Sequence, residues 1–291
     1  MTKNTVQRLA VFFIGIPLFV IVTIFIGFGR HFVLALLVLA LMYLMLGEAT
    51  AMFKAVKLSP RMPLVGVLSL ALGLSAYLLP MAKDLLPYPF SPLAALLSLS
   101  VLGALAIAGS FAFARKEEFP DILPSFAASL SVYFYCGILG SFLMHIVSGF
   151  DLGTEAVLCF TLLTFGNDSL AWLTGMTLGR KRDIIPVSPN KSVAGFVGGF
   201  LGSIVAAGLS LVLFPHLQRT AGLGIYILGF FIGITVIVGD LLESALKRSA
   251  GIKDSSTLVP GRGGILDSFD SLLFSAPVFV FVASLLGLFD A

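Results

Sequence analysis

Asp240, Glu243, Ser244 and Lys247 stand at i, i+3, i+4 and i+7 in the segment GDLLESALKR, so on a helix they form one polar stripe along an otherwise apolar span. Carboxylates inside a membrane span are costly and face the protein interior or a water-filled cavity. A functional site is one reading of the stripe. A structural pair between Lys247 and Glu243 or Asp240, locking helix packing, is the other. The loop that follows carries Lys247, Arg248, Lys253 and Arg262 among Gly251, Gly261, Gly263 and Gly264. Glycine lets backbone N–H groups approach an anion and the cations neutralise it, which is the chemistry of a phosphate cradle; a plain turn before the next span has the same composition. Asp267 and Asp270 then open the last span at i, i+3. Either alone reads as a cap complementing the helix dipole. Together with Asp240 they are hard oxygen ligands beside a basic loop, which suits Mg²⁺ shared between carboxylates and substrate phosphates.

A second polar cluster runs from 165 to 202. Asn167 and Asp168 begin a polar patch within a span, GRKRD follows, and Ser188, Asn190, Lys191 and Ser192 place hydroxyl and amide groups beside a cation near the headgroup level. That arrangement suits a lipid phosphate, with Lys191 and Ser188 as its holders. Lys181 and Arg182 read most simply as anchors at the membrane surface. His31, His145 and His216 fall outside both clusters, which argues against histidine acid–base chemistry or a zinc site. Cys136 and Cys159 lie in apolar stretches without a CxxC spacing and read as packing residues. Glu48 stands alone in its span, and a functional carboxylate and a protonated one near the span's end are equally open.

The elements that must position these residues are membrane helices. The 291 residues are 58% hydrophobic and 11% charged, too few charged side chains to cover a water-soluble globule. Disorder, collagen and a disulfide scaffold are excluded by the same composition, and the basic residues behind the net charge of +3 are too scattered for a nucleic-acid surface. Nine apolar runs are long enough to cross a bilayer, near 9–28, 32–52, 64–80, 92–113, 125–148, 155–178, 193–214, 223–246 and 271–289. The first lacks a small-residue cleavage site and reads as a retained helix. Alternating the breaks places fifteen of the eighteen Lys and Arg residues on one side and only Arg30, Lys83 and Arg219 on the other. That bias sets the N-terminus and the polar clusters in the cytoplasm and the C-terminus outside. The expected fold is all-α and polytopic with about nine transmembrane helices. It divides into N-terminal transmembrane helices over 1–150 and a C-terminal catalytic region over 151–291.

The segment SALKRSAGIKDSSTLVPGRGGILDSFD resembles the signature of the phosphatidate cytidylyltransferases (CDP-diacylglycerol synthases), S-x-hydrophobic-K-R, K-D, P-x-H-G-G and D-R-x-D. Ser244, Lys247, Arg248, Lys253, Asp254, Pro260, Gly263, Gly264, Asp267 and Asp270 fit it without a gap. The upstream NDS…GRKR…SPNKSVAG is similar to the family's D-x-x-A…G-R-x-F-G…S-P-K-K-T-W-E-G region. The departures are Arg262 in place of His, Ser268 in place of Arg, and Val193 and Ala194 in place of Trp and Glu. They leave room for a divergent substrate preference or an inactive relative.

The resemblance implies a membrane enzyme that makes CDP-diacylglycerol and pyrophosphate from CTP and phosphatidate, with Mg²⁺ and room for a second cation such as K⁺. Asp240, Asp267 and Asp270, with Asp168 as a fourth candidate, are then the metal-site carboxylates, and Lys247 acts beside them. Ser244, Arg248, Lys253, Arg262, Gly263 and Gly264 surround the triphosphate. The implied setting is a bacterial-type inner membrane with the site on the cytoplasmic side. A homodimer is compatible, although no residue argues for one. The alternative is a CTP-dependent kinase of a polyprenol-type lipid alcohol, which needs a base such as Glu243 or Asp168.

Overall fold

The computed structural model describes residues 15–83, 85, 90–180, 182–259, 261 and 263–290. A ten-residue apolar helix, α1 (Ile16–Phe25), precedes α2 (Phe28–Ala55), α3 (Met62–Ala82) and α4 (Pro92–Phe111). The next span is composite: a 3₁₀ turn (Lys116–Asp121), α5 (Ile122–Val132), a π-helical stretch (Tyr133–Ile138) and α6 (Leu139–Ser148). Then come α7 (Gly153–Thr177), α8 (Val193–Leu213), the short α9 (Pro215–Thr220), α10 (Gly224–Ser249) and α11 (Ile265–Leu285). Among the described residues eight helical stretches are long and apolar enough to cross a membrane, and α1 accounts for the described part of the first expected span. The protein is an integral membrane protein of all-α class.

These segments are helical because an apolar chain in lipid must pair its backbone groups internally. Their ends are set by local chemistry. Proline occupies the first turn of α3, α4 and α9, where its missing N–H costs nothing. The Ser91 and Ser192 hydroxyls cap α4 and α8 by accepting from Ala94 N at 3.3 Å and Gly195 N at 3.1 Å.

One departure from expectation bears on the site. The last helix begins at Ile265, six residues before the apolar run alone suggests, so Asp267 and Asp270 lie inside its first two turns. Its exposed amides are satisfied by carboxylates, which lets a polar stretch start a helix.

Close packing brings the site together. Gly198, Gly199 and Gly202 on α8 face α7: a Cβ at Gly202 would collide with the Gly166 carbonyl, and one at Gly199 would meet Asn167 Oδ1 at 2.7 Å. Such small-residue stripes let membrane helices approach to backbone contact. Asn167 Nδ2 then donates to Ser203 Oγ at 3.1 Å and to the Gly233 carbonyl at 3.2 Å, joining α7, α8 and α10. α11 packs against α10, but also against α6 and α2, so both stretches of the chain share one core around Met42, Met45, Tyr133, Met144 and Phe279.

Candidate active site

α7, α8 and α10 enclose a cavity of about 430 Å³ lined by Asn167, Asp168, Trp172, Arg182, Lys191 and Asp240 among others. Lys191 is brought there by the turn that precedes α8, where its backbone N donates to the Ser188 carbonyl at 3.1 Å. Its ammonium pairs with the Asp240 carboxylate and lies 5.8 Å from the centre of the Phe196 ring. Asp270, buried on α11, sits within Coulombic range of both Asp240 and Asp168. Two carboxylates therefore line the cavity beside Lys191 and Arg182, with Asp270 in electrostatic reach of both.

A second cavity of about 310 Å³ has a different character. Ile16, Phe19, Phe165, Val259, Phe269 and Leu272 make most of its wall, with Ser268 among them. Asp168 lines both cavities. The polar chamber and the apolar one thus meet at a single carboxylate.

The signature loop is held by a separate network. Lys247 Nζ lies 2.6 Å from Glu243 Oε2 and 2.7 Å from Asp267 Oδ1, with both acids almost fully buried. Asp267 Oδ2 accepts from Ser255 N at 2.8 Å and from Gly264 N at 2.6 Å. Val259 and Gly263 exchange backbone hydrogen bonds at 2.7 and 3.1 Å, closing the turn between them. Glu48 reaches the same loop from α2. Its Oε1 accepts from Ser256 Oγ at 2.6 Å and Ile265 N at 2.9 Å, and its Oε2 from Ser255 Oγ at 2.9 Å and Leu266 N at 2.7 Å. Ile265 and Leu266 are the first residues of α11, so this carboxylate satisfies amides that the helix itself leaves open and meets the positive end of its dipole.

The residues expected from sequence fall into distinct places. Asp168, Asp240 and Lys191 line the polar cavity, and Asp270 is buried within electrostatic reach of it. Lys247, Asp267 and Gly264 belong to the loop network, with Gly263 beside them. Arg248 and Lys253 are exposed at the end of α10 and in the loop, and Ser244 is half-buried on α10. Ser188 supports the turn before Lys191 rather than the cavity wall. Arg262, Pro260 and Lys181 lie outside the described residues.

Two residues lie near the site although their sequence positions did not reveal it. Glu48 had no neighbour in sequence to hint at its loop partners, which lie more than 200 positions away. Tyr135 comes from the π-helical stretch, an irregularity that often marks functional positions. It is 7% exposed, its hydroxyl has no hydrogen-bond partner among the described residues, and it feels the charges of Asp270, Glu243 and Asp240.

A hard divalent cation fits this donor set by chemistry. Among the described residues no three His, Cys, Asp or Glu side chains are grouped closely enough to make a metal cage alone. Mg²⁺ seldom takes such a cage and is usually bound through one or two carboxylates, waters and substrate phosphates. Asp267 already accepts three hydrogen bonds and lies in contact with the Glu243 carboxyl as well, so it would serve a metal by giving up one of these partners.

Residues 6–286 match the cytidylyltransferase family. An uncharacterized protein, YnbB, of Escherichia coli strain K12 is 41% identical over 129 residues, 44% of this chain and 42% of that one. A phosphatidate cytidylyltransferase of Synechocystis is 43% identical over 136 residues, 44% of this chain and 45% of that protein. The one from Haemophilus influenzae is 33% identical over 187 residues, 62% of this chain and 63% of its own. The chain spans about half the length of the curated relatives it matches.

Proposed function

This chain belongs to the cytidylyltransferase family, and from that premise we propose that it transfers the cytidylyl group of CTP to phosphatidate, yielding CDP-diacylglycerol and pyrophosphate for phospholipid biosynthesis. The observation that carries this reading is the meeting of a polar and an apolar cavity at Asp168. A nucleotide and a lipid phosphate with two acyl chains require those two environments side by side. The names of the Synechocystis and Haemophilus relatives point the same way.

In the proposed reaction an oxygen of the lipid phosphate attacks the α-phosphorus of CTP, and the bond to the β-phosphate breaks with its electron pair leaving on pyrophosphate. A phosphomonoester is largely ionised at pH 7, because its second pKa is about 6, so no strong general base is needed. This suits a site without histidine. The protein contributes position and charge neutralisation.

Lys191 exchanges Asp240 for the lipid phosphate, supported by the turn at Ser188. Lys247 donates to Asp267 and pairs with Glu243, and a remaining N–H donor would meet a phosphate oxygen. Arg248, Lys253 and Arg262, with Ser244 and the backbone at Gly263 and Gly264, surround the triphosphate. Asp240, Asp267, Asp270 and Asp168 would hold Mg²⁺, with room for a second cation such as K⁺, and the ion when bound neutralises phosphate charge. The bias of Lys and Arg to one side supports a site on the cytoplasmic face of a bacterial-type inner membrane.

The test uses purified protein in vesicles containing phosphatidate, supplied with CTP labelled in the cytidine. The expected result is Mg²⁺-dependent label in the lipid with equimolar pyrophosphate. Label that stays in the water phase, or release of CDP in place of pyrophosphate, overturns the reading.

A further inference from the structure

Glu48 belongs to the N-terminal helices, yet all four of its hydrogen bonds go to the loop and helix start that carry the signature residues. It is 5% exposed, so this is a buried carboxylate with its lone-pair directions filled. Each oxygen takes one serine hydroxyl and one backbone N–H. A glutamine cannot reproduce that pattern, because either orientation of its amide turns an NH₂ group against a backbone donor. The fit also demands glycine at 264, where a Cβ would collide with Ser255 Oγ and the Glu48 carboxylate. The loop is therefore gripped from two sides. Asp267 holds Ser255 and Gly264 from within its own helix, and Glu48 holds Ser255, Ser256 and the first amides of α11 from across the bundle. Between the gripped ends, Val259 forms part of the wall of the apolar cavity at Asp168, and Lys253 stands exposed at the start of the loop.

Resting on the cytidylyltransferase reading, we propose that Glu48 is a positioning residue for nucleotide binding: it touches no substrate, and it fixes the loop that follows α10 so that Lys253 meets the triphosphate. Helix α2 enters the reaction through this one side chain.

The test compares wild type, Glu48→Gln and Glu48→Asp in lipid nanodiscs. Glu48→Gln is expected to raise KM for CTP about tenfold, the equivalent of roughly one lost charge-assisted hydrogen bond, with a smaller rise of about two- to threefold in KM for phosphatidate, whose cavity meets the loop through Val259. Lys253→Ala should raise KM for CTP as well, and Glu48→Gln added to it should cost little more, because the two act through one loop. Hydrogen exchange at Ser255, Gly264, Ile265 and Leu266 should quicken in Glu48→Gln and stay near wild type at α4. This second readout holds for a folded protein whatever reaction it catalyses, so it separates failure of the inference from failure of the cytidylyltransferase reading. Glu48→Asp, one methylene shorter, should fall between the two. Equal changes in both KM values, additive effects with Lys253→Ala, or unchanged exchange in the loop each overturn the proposal.

Discussion

The two halves of the signature region are built on opposite principles. Around the loop, three carboxylates are buried against partners: Glu48 accepts four hydrogen bonds, Asp267 accepts three, and Glu243 lies against Lys247. Around the polar cavity, Asp168 and Asp240 line the wall with Lys191 and Arg182, and Asp270 lies within Coulombic range of both acids, beside a volume large enough for ligand. The same residue types therefore serve two ends. Hydrogen-bonded carboxylates fix a loop in place, and carboxylates with cations beside them line a cavity open to ligand.

Substitution should separate the two. Asp240→Asn is expected to lower cytidylyl transfer by about 10³-fold, the scale of losing one electrostatic group aimed at the reacting phosphates. Its melting temperature in detergent should stay close to wild type, and a large drop would place Asp240 with the structural carboxylates instead. Asp267→Asn should be the reverse in stability: removing one partner of a buried ion pair costs about 3–5 kcal/mol, read as a lower unfolding midpoint. An unchanged midpoint would dissolve the distinction. Lys191→Met should have the smallest effect, raising KM for phosphatidate about tenfold, near 1.4 kcal/mol, with KM for CTP little changed. A matching rise for CTP would mean that the polar cavity is not divided between the two substrates.

Much of this was legible in the chain because scarcity makes charge informative in a membrane protein. The apolar runs located the spans to within a few residues, and the polar stripe on α10 emerged from spacing alone. What stayed hidden depended on pairing across distance. Glu48 looked isolated because its partners lie in a loop more than 200 residues away, and the early start of α11 depends on that same carboxylate satisfying its first amides. The stretch over 125–148 reads as one apolar run, and nothing in its hydropathy marks the π-helical stretch that carries Tyr135. The division of the signature between loop grip and cavity likewise needed the fold, since Asp267 and Asp270 look equivalent at i, i+3 and differ only in what surrounds them.

The central claim is that the cavity at Asp168 and Asp240 hosts attack of a lipid phosphate on the α-phosphorus of CTP. CTP labelled separately at the α- and γ-phosphates, presented with phosphatidate vesicles and Mg²⁺, tests it most directly. The account predicts that α-label enters the lipid with wild type and is nearly lost with Asp240→Asn, while γ-label leaves as pyrophosphate. Gamma-label in the lipid, or α-label transferred equally well by Asp240→Asn, would contradict it.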